Sequence, residues 1–186
     1  IEALAHTGGD AHAQATLHLR RAGLARLNGD YTAALHAVEQ AQRLAHGRGD
    51  APLETASLLL AGRVCYQQGD YTGARTQLEA ALTLAKAADL HREQAQILNN
   101  LGGALIYTGD FAAARQHLLD AQPLSQAVQD RRSEASCLIN LGTLAYRTGD
   151  YTSAHHYLEA ALATSRAIGW RQGEAILLAN LGNNAF

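Results

Sequence analysis

Leu98-x2-Leu101-Gly102-x2-Leu105, then Gly109-Asp110-Phe111, then Ala114-x3-Leu118-x2-Ala121, is the stretch that decides the fold. Its central Gly-Asp-aromatic signal returns at Gly29-Asp30-Tyr31, Gly69-Asp70-Tyr71 and Gly149-Asp150-Tyr151, at steps of forty (69 − 29, 109 − 69, 149 − 109). Self-similarity at a fixed period of this size marks a stacked-repeat chain. Gly takes the left-handed conformation that closes a helix, and Asp is a preferred N-cap for the next one. Each Gly-Asp therefore ends one helix and begins another, and the repeating unit is a helix–turn–helix hairpin.

Outward from that stretch, every unit splits into a helix A before its Gly-Asp and a helix B after it. The spacing predicts A helices over roughly 11–28, 52–68, 92–108, 132–148 and 172–186, and B helices over roughly 30–47, 70–88, 110–128 and 150–168. Repeats then occupy 11–50, 51–90, 91–130 and 131–170. Leu4-Ala5-His6 and Gly9-Asp10 match Leu44-Ala45-His46 and Gly49-Asp50, so residues 1–10 read as the tail of a preceding repeat, a partial helix at 1–7 followed by a turn. Leu178-x2-Leu181-Gly182 copies Leu138-x2-Leu141-Gly142, so 171–186 reads as the first helix of a fifth repeat. The expectation is one all-α array, 1–186, cut mid-repeat at both ends and belonging to a larger protein.

Small residues carry the register. Ala34, Ala74, Ala114 and Ala154 are in phase, as are Ala41, Ala81, Ala121 and Ala161. Gly62, Gly102, Gly142 and Gly182 form a third column, with Ala22 in that place in the first unit. Val38, Leu78, Leu118 and Leu158 supply bulk between them. Such columns let helices approach closely, and a larger residue there costs about 1–3 kcal/mol by overpacking. Pro123 interrupts one B helix, where it removes an N–H and crowds the carbonyl of Leu119, so a kink is expected near 119–123.

Composition limits the function classes. Hydrophobic residues make up 47% of the 186 and formal net charge is −2, so no strong field draws in nucleic acid or an anionic membrane. No window reaches the length of uninterrupted apolar sequence that spans a bilayer, and the start lacks a secretory leader layout. Cys65 and Cys137, the two cysteines, fall inside helical patterns and read as reduced thiols of a cytoplasmic protein. His36, His117, His155 and His156, with Glu39, Asp120 and Glu159, give isolated pairs on different layers, short of the three or four ligands a zinc site needs. No nucleophile elbow, phosphate-cradling glycine loop or Cys-His-Asn arrangement is present. The expectation is no catalysis, no cofactor and no metal.

The repeat as a whole, Leu98-x2-Leu101-Gly102-x2-Leu105 through Ala114-x3-Leu118-x2-Ala121, resembles the tetratricopeptide repeat. Leu98, Leu138 and Leu178 stand where that family has Trp, and Cys65, Leu105 and Ala145 stand in its Tyr column. The B helices run on past the family's terminal Pro, lengthening the unit to forty. That longer form resembles the repeats of kinesin light chains, of the Pins/LGN adaptors, and of bacterial regulators such as maltose-type activators and pheromone-responsive Rap proteins. The resemblance implies a right-handed α-solenoid of antiparallel hairpins, a tetratricopeptide superhelix with four full and two partial repeats.

Stacked hairpins present their A helices on a concave side. Residues between the core columns should then line a groove: Asn100, Asn140 and Asn180 in one column with Arg20 and Leu60, then Arg63, Thr143, Asn183 and Gly103, then Tyr66, Ile106, Tyr146 and Phe186, with Tyr107 and Arg147 beside them. A carboxamide offers donors and an acceptor to an extended main chain, and Arg63 or Arg147 can hold a carboxylate. The family resemblance implies peptide binding at the Asn positions. The expected function is a protein- or peptide-binding scaffold, the sensor or interaction domain of a bacterial-type regulator, with no nucleic acid and no membrane as partner. The alternative is a homodimer formed through the open ends, using the apolar face of Leu177, Leu178, Leu181 and Phe186.

Overall fold

The computed structural model describes residues 2–183, with side chains described for 11–175, Leu177 and Leu178. Among the described residues there are nine α-helices and no strand: α1 (Glu2–Leu27), α2 (Tyr31–His46), α3 (Ala51–Gln67), α4 (Tyr71–Ala87), α5 (His91–Thr108), α6 (Phe111–Ala127), α7 (Arg131–Arg147), α8 (Tyr151–Ala167) and α9 (Arg171–Asn183). Odd-numbered helices are the A helices and even-numbered ones the B helices. The chain divides into two compact units, 1–93 and 94–186. In the first, α1 pairs with α2 and α3 with α4, while α2 and α1 also touch α3. In the second, α7 pairs with α8, α6 packs on α7, and α9 lies against both α8 and α7.

The close approach inside each hairpin is legible atom by atom. A Cβ placed on Gly62 would stand 2.6 Å from Leu78 Cγ, one on Gly102 2.5 Å from Leu118 Cγ, and one on Gly142 2.8 Å from Leu158 Cγ. The carbonyl oxygens of Ala74, Ala114 and Ala154 lie 3.3, 3.3 and 3.4 Å from the same points. Glycine is needed at these places because the partner helix occupies the space of a side chain. The first hairpin solves the same problem differently: Ala22 and Val38 pack together, a methyl added on one helix and a shorter side chain on the other.

Turns follow one rule. Asp30, Asp50, Asp70, Asp110, Asp130 and Asp150 each cap the next helix by accepting from the main-chain N–H three residues on. The N–H of each cap residue also reaches back to the last turn of the preceding helix, as Asp70 to Cys65 O (2.9 Å) and Asp130 to Ser125 O (2.9 Å). Leu90 and Trp170 make the same bond, to Ala85 O and Ser165 O, so the backbone repeats every twenty residues although the side chains repeat every forty (90 − 70, 110 − 90). The residue before the cap has left-handed φ, 83° at Gly109; Asp89 (51°) and Gln129 (53°) adopt it without being glycine.

One expectation needs correction. α1 runs as one helix from Glu2 through Gly8-Gly9-Asp10, where a turn was expected. Glycine admits helical as well as left-handed backbone, and the i→i−4 ladder continues through Gly8 and Gly9. α6 continues through Pro123 as a single helix, with Pro123 on an exposed side where the Leu119 carbonyl can turn to water.

One buried group breaks the pattern. Thr55 is fully buried with its hydroxyl unpartnered, while Ala15, Ala95 and Ala135 fill that column. Thr55→Ala should therefore leave stability unchanged or raise it by about 1 kcal/mol in a urea titration, the desolvation penalty of an unsatisfied hydroxyl. Gly102→Ala should lower stability by about 1–3 kcal/mol, and adding Leu118→Val, the first hairpin's solution, should restore more than half of that loss. A double variant as unstable as the single one would show that the Gly–Leu approach is not what limits the hairpin.

Candidate partner-binding face

The A-helix residues expected to face a partner fall into three groups. In the second unit Asn100 and Asn140 are half-buried, and Tyr107, Tyr146 and Arg147 are exposed. Asn140 Nδ2 of α7 donates to Oδ1 (2.8 Å) and O (3.2 Å) of Asn99 on α5. Two helical turns further along, Arg147 sits over the Tyr107 ring at 5.3 Å. These two contacts, about 10 Å apart along the helices by their rise, hold α5 and α7 side by side. Asn100 Nδ2 donates to Gln96 O of its own helix (2.6 Å), which leaves Asn100 its second N–H and its Oδ1, while Asn140 keeps its Oδ1 as acceptor. Tyr146 meets Tyr151, at the start of α8, edge to face with centroids 5.5 Å apart.

In the first unit Arg20 is exposed, and Arg63 and Tyr66 are half-buried. Tyr66 meets Tyr71 edge to face at 5.5 Å, and Arg26 of α1 donates to Gln67 of α3 (3.0 Å), the counterpart of the α5–α7 bridges. The side chains of Asn180, Asn183 and Leu181, and the whole of Phe186, lie outside the described residues.

Three expected surface residues are buried. Gly103 is buried and Ile106 is 1% exposed, because α5 packs over a wider arc than the Leu/Gly columns alone indicate. Leu177 is fully buried rather than part of an open end: it packs with Leu158 and Ala161 of α8. Its neighbour Leu178 is 51% exposed. Asn99, invisible in the ladder of every fortieth residue, is the buried acceptor that fixes Asn140. The Asn-Asn doublet was its only trace in the sequence.

Among the described residues no three His, Cys, Asp or Glu converge as metal ligands. The hydrogen bonds from Ser153 to Asp150, and more weakly the Arg115 charge, lower the Asp150 carboxyl below its usual value. Burial, helped by the Glu134 charge, pushes the Cys137 thiol up to about 12, and its Sγ donates to Leu118 O at 3.2 Å. Burial and Asp70 also raise Cys65.

Comparison with known proteins bears on the family and the fold. The tetratricopeptide repeat family matches residues 13–87 and 93–167. The chain belongs to the tetratricopeptide repeat family. Its α-solenoid fold is shared with the apo form of RapI (13% identity, TM-score 0.79, covering 89% of this chain and 61% of RapI). It is shared too with a Rap protein complexed with Competence and Sporulation Factor (19%, 0.78, 86% and 45%). A third structure holds the nearly identical TPR-like repeats attributed to a kinesin light chain of Podosopora anserina (18%, 0.64, 95% of each chain). The chain thus spans less than two thirds of either Rap structure. No curated protein matches it. No described helix of these repeats is long and apolar enough to cross a membrane.

Because the folded Cys137 pKa is raised, its contribution to stability is complete below the unfolded thiol value and is lost as pH rises from 9.0 towards 12. Unfolding free energy should fall over that range, and Cys137→Ala should flatten the fall. An unchanged slope in the variant would show that the thiol is not the titrating group.

Proposed function

We propose that this tetratricopeptide array is a non-catalytic, cytoplasmic scaffold that holds an extended protein or peptide segment along its A-helix face. In this reading it is the sensor or interaction domain of a bacterial-type signalling or transcription regulator, and residues 1–186 form one repeat array within a larger protein. Tetratricopeptide repeats mediate protein–protein interaction, and one structurally similar Rap protein was solved with Competence and Sporulation Factor bound.

The observation that carries the reading is the strip across α5 and α7. It puts two half-exposed carboxamides beside exposed Tyr107, Tyr146 and Arg147 on helices already locked together by Asn99–Asn140 and Tyr107–Arg147. A preorganised surface loses little side-chain entropy on binding. The free amide oxygens accept main-chain N–H groups of an extended segment, the tyrosine rings pack its side chains, and the Arg147 guanidinium orients an acidic group. By the forty-residue register, Arg20, Arg63, Tyr66, Asn180 and Asn183 are the corresponding positions of the other repeats.

Peptides selected from a displayed random library on the folded chain should lose at least roughly tenfold in affinity for Asn100→Ala/Asn140→Ala, since two hydrogen bonds are worth about 1 kcal/mol each. The variant should keep a cooperative unfolding curve, which separates lost binding from lost folding. Selected peptides that bind parent and variant equally would dispose of the reading.

A further inference from the structure

Asn99 is a buried amide in a column of apolar residues. It is 7% exposed, while Leu59 (6%) and Ile139 (9%) hold the same place in α3 and α7, and Leu19 holds it in α1. An amide there carries a desolvation cost that leucine does not. Departures of this kind from a local packing rule collect at functional sites.

The bonds of Asn99 show what it does to its neighbour. Asn140 Nδ2 donates to Asn99 Oδ1 (2.8 Å) and to Asn99 O (3.2 Å). A carboxamide left to itself can turn over and exchange its nitrogen for its oxygen. Asn140 cannot, because a main-chain carbonyl only accepts, so the end that faces α5 must be the nitrogen. Both N–H groups are then spent on Asn99, and Oδ1 is what half-buried Asn140 has left for a partner. Asn100 differs: its Nδ2 is bonded to Gln96 O within α5, and it keeps both a donor and an acceptor.

We propose that Asn99 is a positioning residue that makes Asn140 an acceptor-only amide, so that the segment held across α5 and α7 must bring a free main-chain N–H, and not a proline, to the residue over Asn140. This deepens the binding role proposed above and rests on it. An extended segment offers one N–H and one C=O per residue. Asn100 can pair with either group, whereas Asn140 pairs only with the N–H. A carbonyl or a proline placed over Asn140 leaves its oxygen without a donor, a penalty a binding site of polar groups imposes on the wrong partner. Asn140 therefore sets which way the segment's main chain is presented, and Asn99 sets Asn140.

Peptides selected on the folded chain supply the test, resynthesised with each main-chain amide in turn replaced by an ester, which removes the N–H without adding bulk. One ester should weaken binding by roughly fivefold to tenfold, the worth of about one net hydrogen bond, and should cost nothing further against Asn140→Ala. Proline should be missing from that position among the selected sequences. Asn99→Leu leaves Asn140 only its longer bond, to the main chain, and should weaken the unmodified peptide by roughly twofold to tenfold as the freed side chain is ordered again. Its melting temperature should stay or rise, since leucine and isoleucine fill that column elsewhere. Asn99→Asp keeps both acceptors and should bind as the parent does. If no ester couples to Asn140, or if Asn99→Leu is less stable yet binds as the parent does, the proposal falls and the strip remains a binding face. If Asn100→Ala/Asn140→Ala keeps full affinity, both fall.

Discussion

The missing Cβ at Gly62, Gly102 and Gly142 sets the spacing of the hairpins. Leu78, Leu118 and Leu158 occupy the space a side chain would need, with approaches of 2.5–2.9 Å that no real Cβ tolerates. The helices can therefore close until leucine meets backbone, which buries the leucines completely and brings the Ala74, Ala114 and Ala154 carbonyls near. Since each A helix is pinned in rotation by this contact, its remaining faces are fixed too. The Ala22–Val38 pair shows that the constraint is one of summed volume: a methyl moved from one helix to the other leaves the pair buried.

That fixed rotation is what makes a surface out of the A helices. With the glycine face turned to the B helix, Asn140 and Arg147 of α7 point at α5 and meet Asn99 and Tyr107. Donors spent in these bridges cannot be spent on a ligand, so Asn140 is left with its oxygen, while Asn100, which bonds within its own helix, keeps an N–H as well. The same economy appears in the first unit, where Arg26 is tied to Gln67. Polar residues between repeats thus align neighbouring A helices, and in the proposed function what remains of their hydrogen-bonding capacity serves recognition.

The turns contribute little specificity but much regularity. A capping Asp, a left-handed residue before it and one bond back to the previous helix recur at both kinds of turn, so helices A and B are treated alike by the backbone. Asp89 and Gln129 hold left-handed φ without glycine, and Leu90 and Trp170 sit at cap positions without a capping side chain. Long packed helices on either side outweigh these local costs.

The forty-residue period, the helix boundaries beyond α1 and the columns of small and bulky residues were determined by the sequence alone, because they rest on local rules: which residue ends a helix, which one caps it, and which side chains are small enough for close contact. Which of two adjacent residues faces inward was decided by tertiary structure. Asn99 is buried while Asn100 is half-exposed, Ile106 is core while Tyr107 is surface, and Leu177 is covered while Leu178 is not. A step of one residue turns a helix by about 100°, and how much of that arc is covered depends on neighbouring helices that no single repeat contains. The straight course of α1 through Gly8-Gly9-Asp10 was likewise open in the sequence: glycine serves a helix as well as a turn, and here it is helical.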